Sequence, residues 1–229
     1  ARLMKVLTPS KDRVEPKCPV ARQCGGCQIQ EMRYEAQLAF KQKMVQNNLE
    51  RIGGLSDFEM YPVIGMETPY AYRNKAQFPV GEDKDGNIVI GFYAGRTHHI
   101  VEQTDCCIGA PENGEVLRKV KAYMQKNQIR PYNEEHHSGI VRHILIRTGY
   151  HTKEIMVCLI VNAAKASCLK NAEQLTESLR EMDGMTSVMV NFNTEKTNVI
   201  LGKKSEVLWG QPYIEDFIGD VKYQISPQS

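Results

Sequence analysis

Cys18, Cys24 and Cys27 lie within ten residues of one another, the last two separated only by Gly25-Gly26. Two thiolates two residues apart can share one metal site, and a third close by wraps the loop around it. Pro16 and Pro19 keep the approach extended, while Gly25-Gly26 lets the chain turn tightly between thiols. A closed thiolate shell needs a fourth ligand from a distant segment, so the fold must bring one back to this loop. Cys106 or Cys107, on a polar turn after Glu102-Gln103-Thr104-Asp105, supplies it. Four thiolates suit zinc and iron–sulfur clusters alike, and spacing does not choose between them.

The other cysteines carry less. Cys158 sits inside the apolar run Ile155–Val161 and reads as a small buried hydrophobe, and Cys168 takes no functional weight. Seven cysteines so unevenly spread do not make a disulfide framework. At 229 residues and 41% hydrophobic the chain can bury a core without such staples. Its net charge of +2 does not announce nucleic acid. No stretch approaches the roughly 20 apolar residues of a membrane span, and no apolar leader opens the sequence, so the expected location is cytoplasmic, with no membrane partner.

The hydrophobic pattern predicts α+β: an antiparallel sheet with helices packed on one face, plus a cysteine-rich loop. Tyr34, Leu38, Val45, Leu49 and Ile52 recur at helical spacing over 31–52, ended by Gly53-Gly54. Strands are expected at 75–80 and 88–93 around an Asp85-Gly86 turn, then at 97–101. A helix opens at Pro111 and runs to about Asn127. Strands at 141–148 and 155–161 form a second hairpin about Gly149–Thr152. A helix over 169–182 follows, with strands at 188–192, 198–201, 207–209, 213–218 and 221–225, and the stretch 127–139 reads as a long loop. Leu3–Thr8 reads as one more short strand.

Several ordered motifs carry a resemblance. Cys18-Pro19-Val20, Cys24-Gly25-Gly26-Cys27-Gln28-Ile29-Gln30, Ala71-Tyr72-Arg73-Asn74-Lys75, Gly91-Phe92-Tyr93, Ile100-Val101-Glu102 through Cys106, Leu208-Trp209-Gly210 and Tyr223–Pro227 together resemble the iron–sulfur-containing RNA (uracil-5-)-methyltransferases of the ribosomal RNA type. The resemblance implies a 4Fe-4S cluster held by Cys18, Cys24, Cys27 and Cys106, in a closed shell whose part is structural. The family often has proline where this chain has Cys107. It further implies that 1–15 is a remnant of an N-terminal β-barrel and 16–229 the central RNA-binding domain. The helix over 31–54 would dock on a catalytic domain that uses S-adenosylmethionine, which this sequence does not contain. No Ser-Cys-Asn-like nucleophile loop and no glycine-rich cofactor turn can be read in these residues, so the chain alone is expected to be inactive.

RNA, ribosomal RNA in particular, is the expected partner. Arg73, Lys75, Arg96, His98 and the Arg142/His143/Arg147 group are the candidates to grip phosphate and 2′-hydroxyl groups, with Tyr72, Phe92 and Tyr93 available for stacking. An uncovered apolar stripe on the 31–52 helix would let the fragment self-associate. Two other classes fit parts of the pattern: a zinc-binding nucleic-acid module with no enzymatic parent, and a ferredoxin-like electron carrier, which the cysteine spacing disfavours.

Overall fold

A computed structural model of the chain describes residues 4–229. Alternating apolar residues build β1 (Lys75–Glu82), β2 (Ile88–Tyr93) and β3 (Ile100–Glu102); β4 (Val141–Thr148) and β5 (Ile155–Val161) are buried along their whole length. With β6 (Met185–Phe192) and β7 (Lys204–Gly210) they form one sheet in the order β3-β2-β1-β4-β5-β6-β7. A separate hairpin, β8 (Ile214–Ile218) and β9 (Val221–Ile225), closes the order.

Every neighbouring pair in the large sheet is antiparallel except β5 and β6, which run parallel. This departs from the antiparallel expectation. The physical reason is the connection: α3 (Ala172–Arg180) lies between β5 and β6, and a helical crossover returns the chain in the same direction.

The two sheet faces are covered differently. On one, Phe78, Ile90, Ile144, Val157 and Val188 pack against Val116, Leu117, Val120 and Met124 of α2 (Asn113–Lys126) and Leu175 and Leu179 of α3. On the other, Leu145, Met156, Cys158, Ile160 and Met189 pack beneath Ile214 and Ile225 of the hairpin. Each fully buried aliphatic side chain contributes about 1.5–3 kcal/mol. Cys158 is part of that second layer, and burial pushes its thiol up to about 12.

The first helix behaves otherwise. α1 (Tyr34–Asn47) continues as a π-helical turn over Asn48–Ile52 and contains no buried residue. Tyr34 and Leu38 lie against Gly65, whereas Phe40 and Met44, one turn apart on another stripe, are about half exposed. The helices packed on the sheet are thus α2 and α3.

Other expectations shift locally. Met4–Thr8 forms no strand, and Leu3 lies outside the described residues. Residues 198–201 are held as a loop because the Asn193 side-chain amide donates to the carbonyls of Val199 (2.7 Å) and Ile200 (2.9 Å), satisfying groups a strand partner would otherwise take. β3 begins only at Ile100, since Arg96 turns the chain at φ 62° just before it. No helix among the described residues is long and apolar enough to cross a membrane.

Candidate metal centre and its surroundings

The Cys18–Cys27 loop docks on the end of β2. Cys24 bridges to Ala94, and the Gly25 N–H donates to the Tyr93 carbonyl at 2.9 Å. A Cβ on Gly25 would sit 2.9 Å from that carbonyl oxygen and 3.1 Å from Gly95, so the approach requires glycine. Within the loop the Cys24 N–H donates to the Val20 carbonyl (2.8 Å), and the Gly26 N–H points at the Cys24 sulfur (3.4 Å).

The second cysteine pair arrives on the turn that follows β3. Its backbone is pinned to 71–73: the Ala71 N–H donates to the Cys107 carbonyl (3.0 Å) and the Arg73 N–H to the Ile108 carbonyl (2.9 Å). Two side-chain amides then cross between the loops. Gln30 accepts the Cys18 N–H through Oε1 (2.9 Å) and directs Nε2 at the Cys107 sulfur (3.6 Å), while Gln103 Nε2 lies 3.6 Å from the Cys18 sulfur.

Electrostatics report the same convergence. The Cys27 thiol is pushed up by burial and then by Cys106, Cys24 and Cys18, with Arg73 opposing. Burial, Cys18 and Cys106 likewise raise Cys107, against the Gln30 hydrogen bond. Thiols from both loops are therefore near enough to disfavour one another's ionisation. Among the described residues no three His, Cys, Asp or Glu side chains converge closely enough to hold a single metal ion. The thiols of the two loops share one region without converging on a single point. Cys107 stands within it beside Cys106, so the fourth-ligand position has two candidates in space as it has in sequence.

The basic candidates scatter. Arg73 lines a cavity beside Cys27. Lys75 is exposed and stands opposite Arg147 in the β1–β4 register; burial and that guanidinium push its ammonium down. Arg96 is exposed on its left-handed turn. His98 is exposed, with Nδ1 2.6 Å from Glu134 and its ring 5.3 Å from that of Tyr93.

Arg142, His143 and Arg147 do not form the basic face expected of them. Arg142 falls at the β4 bulge, only 5% exposed, and donates to the carbonyls of Asn193 (2.8 Å), Glu195 (2.7 Å) and Thr197 (3.1 Å) while stacking on Tyr132. Arg147 is buried too and donates to the carbonyls of Pro227 and Ser229. Burial, with Arg142 adding, pushes His143 down to about 4, so it is neutral near pH 7. These side chains spend their donors on the fold. Phe92 belongs to the core, 4.9 Å from Phe78, whereas Tyr72 is 49% exposed. Gln30, Gln103 and Glu134 carry no sequence signal: only the folded loops give these common side chains their partners.

Comparison with known proteins adds a separate line. No family model matches the chain. A Halalkalibacterium halodurans protein named as an uncharacterized RNA methyltransferase is 46% identical over 229 residues, spanning 100% of this chain and 49% of the relative. A Bacillus cereus protein of the same name is 45% identical with the same coverage. The crystal structure of Pyrococcus abyssi tRNA (uracil-54, C5)-methyltransferase in complex with S-adenosyl-L-homocysteine superposes with a TM-score of 0.73 at 26% identity, covering 98% of this chain and 48% of that one. The chain therefore spans about half the length of the relatives it matches, and throughout that span it is similar to proteins named as RNA methyltransferases.

Proposed function

We propose that the chain is the RNA-holding part of an S-adenosylmethionine-dependent RNA (uracil-5-)-methyltransferase, and that Cys18, Cys24, Cys27 and Cys106 hold a 4Fe-4S cluster in it. The observation that carries the enzymatic reading is the similarity along the whole of this chain to about half of proteins named as RNA methyltransferases, joined to a fold likeness to a solved uracil-C5 enzyme. The cluster reading is supported by the gathering of thiols from two distant loops onto one region. Zinc would draw four sulfurs to about 2.3 Å from one ion. A cubane spreads its thiolates over four irons, and iron rather than zinc is proposed from the motif resemblance.

Uracil C5 becomes a nucleophile only after a thiolate adds to C6, and a base must later remove the C5 proton so that the thiolate can leave. Those groups and the methyl donor are assigned to the part of the relatives that this chain does not span. What these 229 residues supply is a rigid sheet and a cysteine-tied surface that hold an unstacked RNA segment in position. The exposed stripe at Phe40 and Met44 is the surface that would pack against the remaining half.

Ribosomal RNA is the proposed substrate, from the motif resemblance; transfer RNA is the second reading, favoured by the substrate named for the Pyrococcus abyssi enzyme. Mapping 5-methyluridine in both RNAs of a strain lacking the gene separates them. For the cluster, anaerobically purified protein is expected to absorb broadly in the visible, with about four irons and four sulfides per chain. Stoichiometric zinc without sulfide overturns it. The isolated chain with RNA and S-adenosylmethionine should transfer no methyl group, and sustained turnover would refute that assignment.

A further inference from the structure

Between the start of α1, the cysteine loop and residues 66–73 lies a cavity of about 500 Å³, within the range of about 300–1,000 Å³ usual for small-molecule sites. Its walls combine Tyr70 and Tyr72 with the cations Lys41 and Arg73, and Cys27 lies at its edge. Neither Lys41 nor Arg73 has a carboxylate within ion-pair distance among the described residues, whereas Glu15, the acid on the rim, is paired with Arg22. Arg33 also lines the cavity but is paired with Asp12, and Lys17 Nζ lies 4.4 Å from the Tyr70 ring centroid, adding a further positive charge beside the aromatic wall.

The backbone that carries the tyrosines is held in an uncommon state. Ala71 adopts φ 53°, a left-handed conformation that costs an alanine about 1–2 kcal/mol. It is kept there by the hydrogen bonds from Ala71 and Arg73 to the Cys107 and Ile108 carbonyls. That single turn separates Tyr70 from Tyr72 and leaves Tyr72 half exposed, with nothing in the core gained from it. Conformational strain maintained by a neighbouring loop, at the wall of a cavity, suits a binding role better than a packing one.

We propose that this cavity receives one unpaired nucleobase of single-stranded RNA, stacked on Tyr72, with Lys41 and Arg73 holding the flanking phosphates. The inference rests on the RNA-binding reading above and adds to it a specific site. An aromatic face with nearby cations and no free acid is the composition that binds exposed bases of any sequence. Because the Cys106–Ile108 turn pins Ala71, the site is built on the cysteine centre, which gives that centre a consequence for RNA affinity.

The test is fluorescence anisotropy of a labelled eight-nucleotide oligouridylate with the 229-residue chain purified anaerobically. Tyr72→Ala should weaken binding about tenfold or more, as expected for loss of one stacked base, while Tyr72→Phe keeps wild-type affinity. Lys41→Ala should make the dependence of log affinity on log salt shallower by about 0.7, the value for one phosphate contact on a single strand. Pairing the oligonucleotide with oligoadenylate should abolish the difference between wild type and Tyr72→Ala. If wild type binds the single strand and Tyr72→Ala binds equally well, the cavity is refuted while the RNA reading survives; no binding by wild type refutes both. Displacement of the oligonucleotide by S-adenosylmethionine would mark a cofactor pocket and overturn the proposal. Tyr72 is half exposed, so circular dichroism should show the variants folded.

Discussion

The seven-stranded sheet and the segment ahead of it, residues 4–74, are held together by different forces. In the sheet, β4 and β5 have both faces covered and most stabilisation is non-directional apolar burial. In the leading segment α1 buries no residue, and the connections are exposed ion pairs such as Arg13–Glu31 and Arg33–Asp12, glutamine bridges to thiols, and backbone contacts to the β2 end. Surface pairs of that kind contribute little. A region with so little burial would depend on the proposed cluster, while the sheet would not. The two regions should therefore respond to different perturbations.

The largest expected effect breaks the sheet. Leu159→Ala, at a fully buried position, should cost about 2–5 kcal/mol in chemical denaturation, with the whole sheet melting as a unit. If the loss were confined to the leading segment, the separation between regions would fail. Next comes removal of the centre. Cys24→Ser, or treatment with a strong iron chelator, should abolish hydrogen-exchange protection at the Cys18–Cys27 loop and around Ala71 while leaving β4 to β6 protected. Uniform loss of protection would show that the centre supports the entire fold.

A smaller effect concerns Asp216, which ties the hairpin to the β4–β5 turn by accepting the N–H groups of Tyr150 (2.6 Å) and His151 (3.0 Å). Burial pushes its carboxyl up, but the His151 and Tyr150 donors outweigh this and hold it below the ordinary range. A folded pKa below the unfolded one of about 3.9 contributes stability that is complete above the unfolded value and is lost as pH falls through the folded one. Asp216→Ala should thus cost about 1–3 kcal/mol at pH 7, with the gap to wild type closing below about pH 4. A gap that persists at low pH would mean that packing, not charge, is what matters there.

Phe40→Glu with Met44→Glu should leave thermal stability unchanged and convert any concentration-dependent sedimentation to a monomer profile. Smallest is Glu31→Gln, which breaks the exposed pairs to Arg13 and Arg22; its effect on loop protection should vanish in high salt.

Sequence legibility divides along the same line. β1, β2, β4, β5, α2 and α3 were readable because burial imposes a period on their residues, and the Asp85-Gly86 turn is visible because glycine is needed there, at φ 80°. The parallel pairing of β5 with β6 was not, because periodicity says which face a residue takes and nothing about strand direction. In the candidate site, the spacing of the cysteines is visible in the sequence, and the cluster they hold is a proposal. Arg142 and Arg147 did not announce their burial, since a guanidinium that caps loop carbonyls and one that grips phosphate look alike in a sequence. Gln30 acquires its role only when residues far apart along the chain are brought together.

The seating of Gly25 on the Tyr93 carbonyl also imposes an order of assembly. During synthesis the first three cysteines emerge well before the strand that receives them, and the cysteine pair at 106–107 follows later still. Until β2 has paired with β1 and β3, the early loop has no surface to rest on and its thiols stay apart. If these cysteines hold the proposed cluster, its loading would be a late event that completes a scaffold already formed by the sheet and leaves the nascent loop exposed to oxidation in the interval.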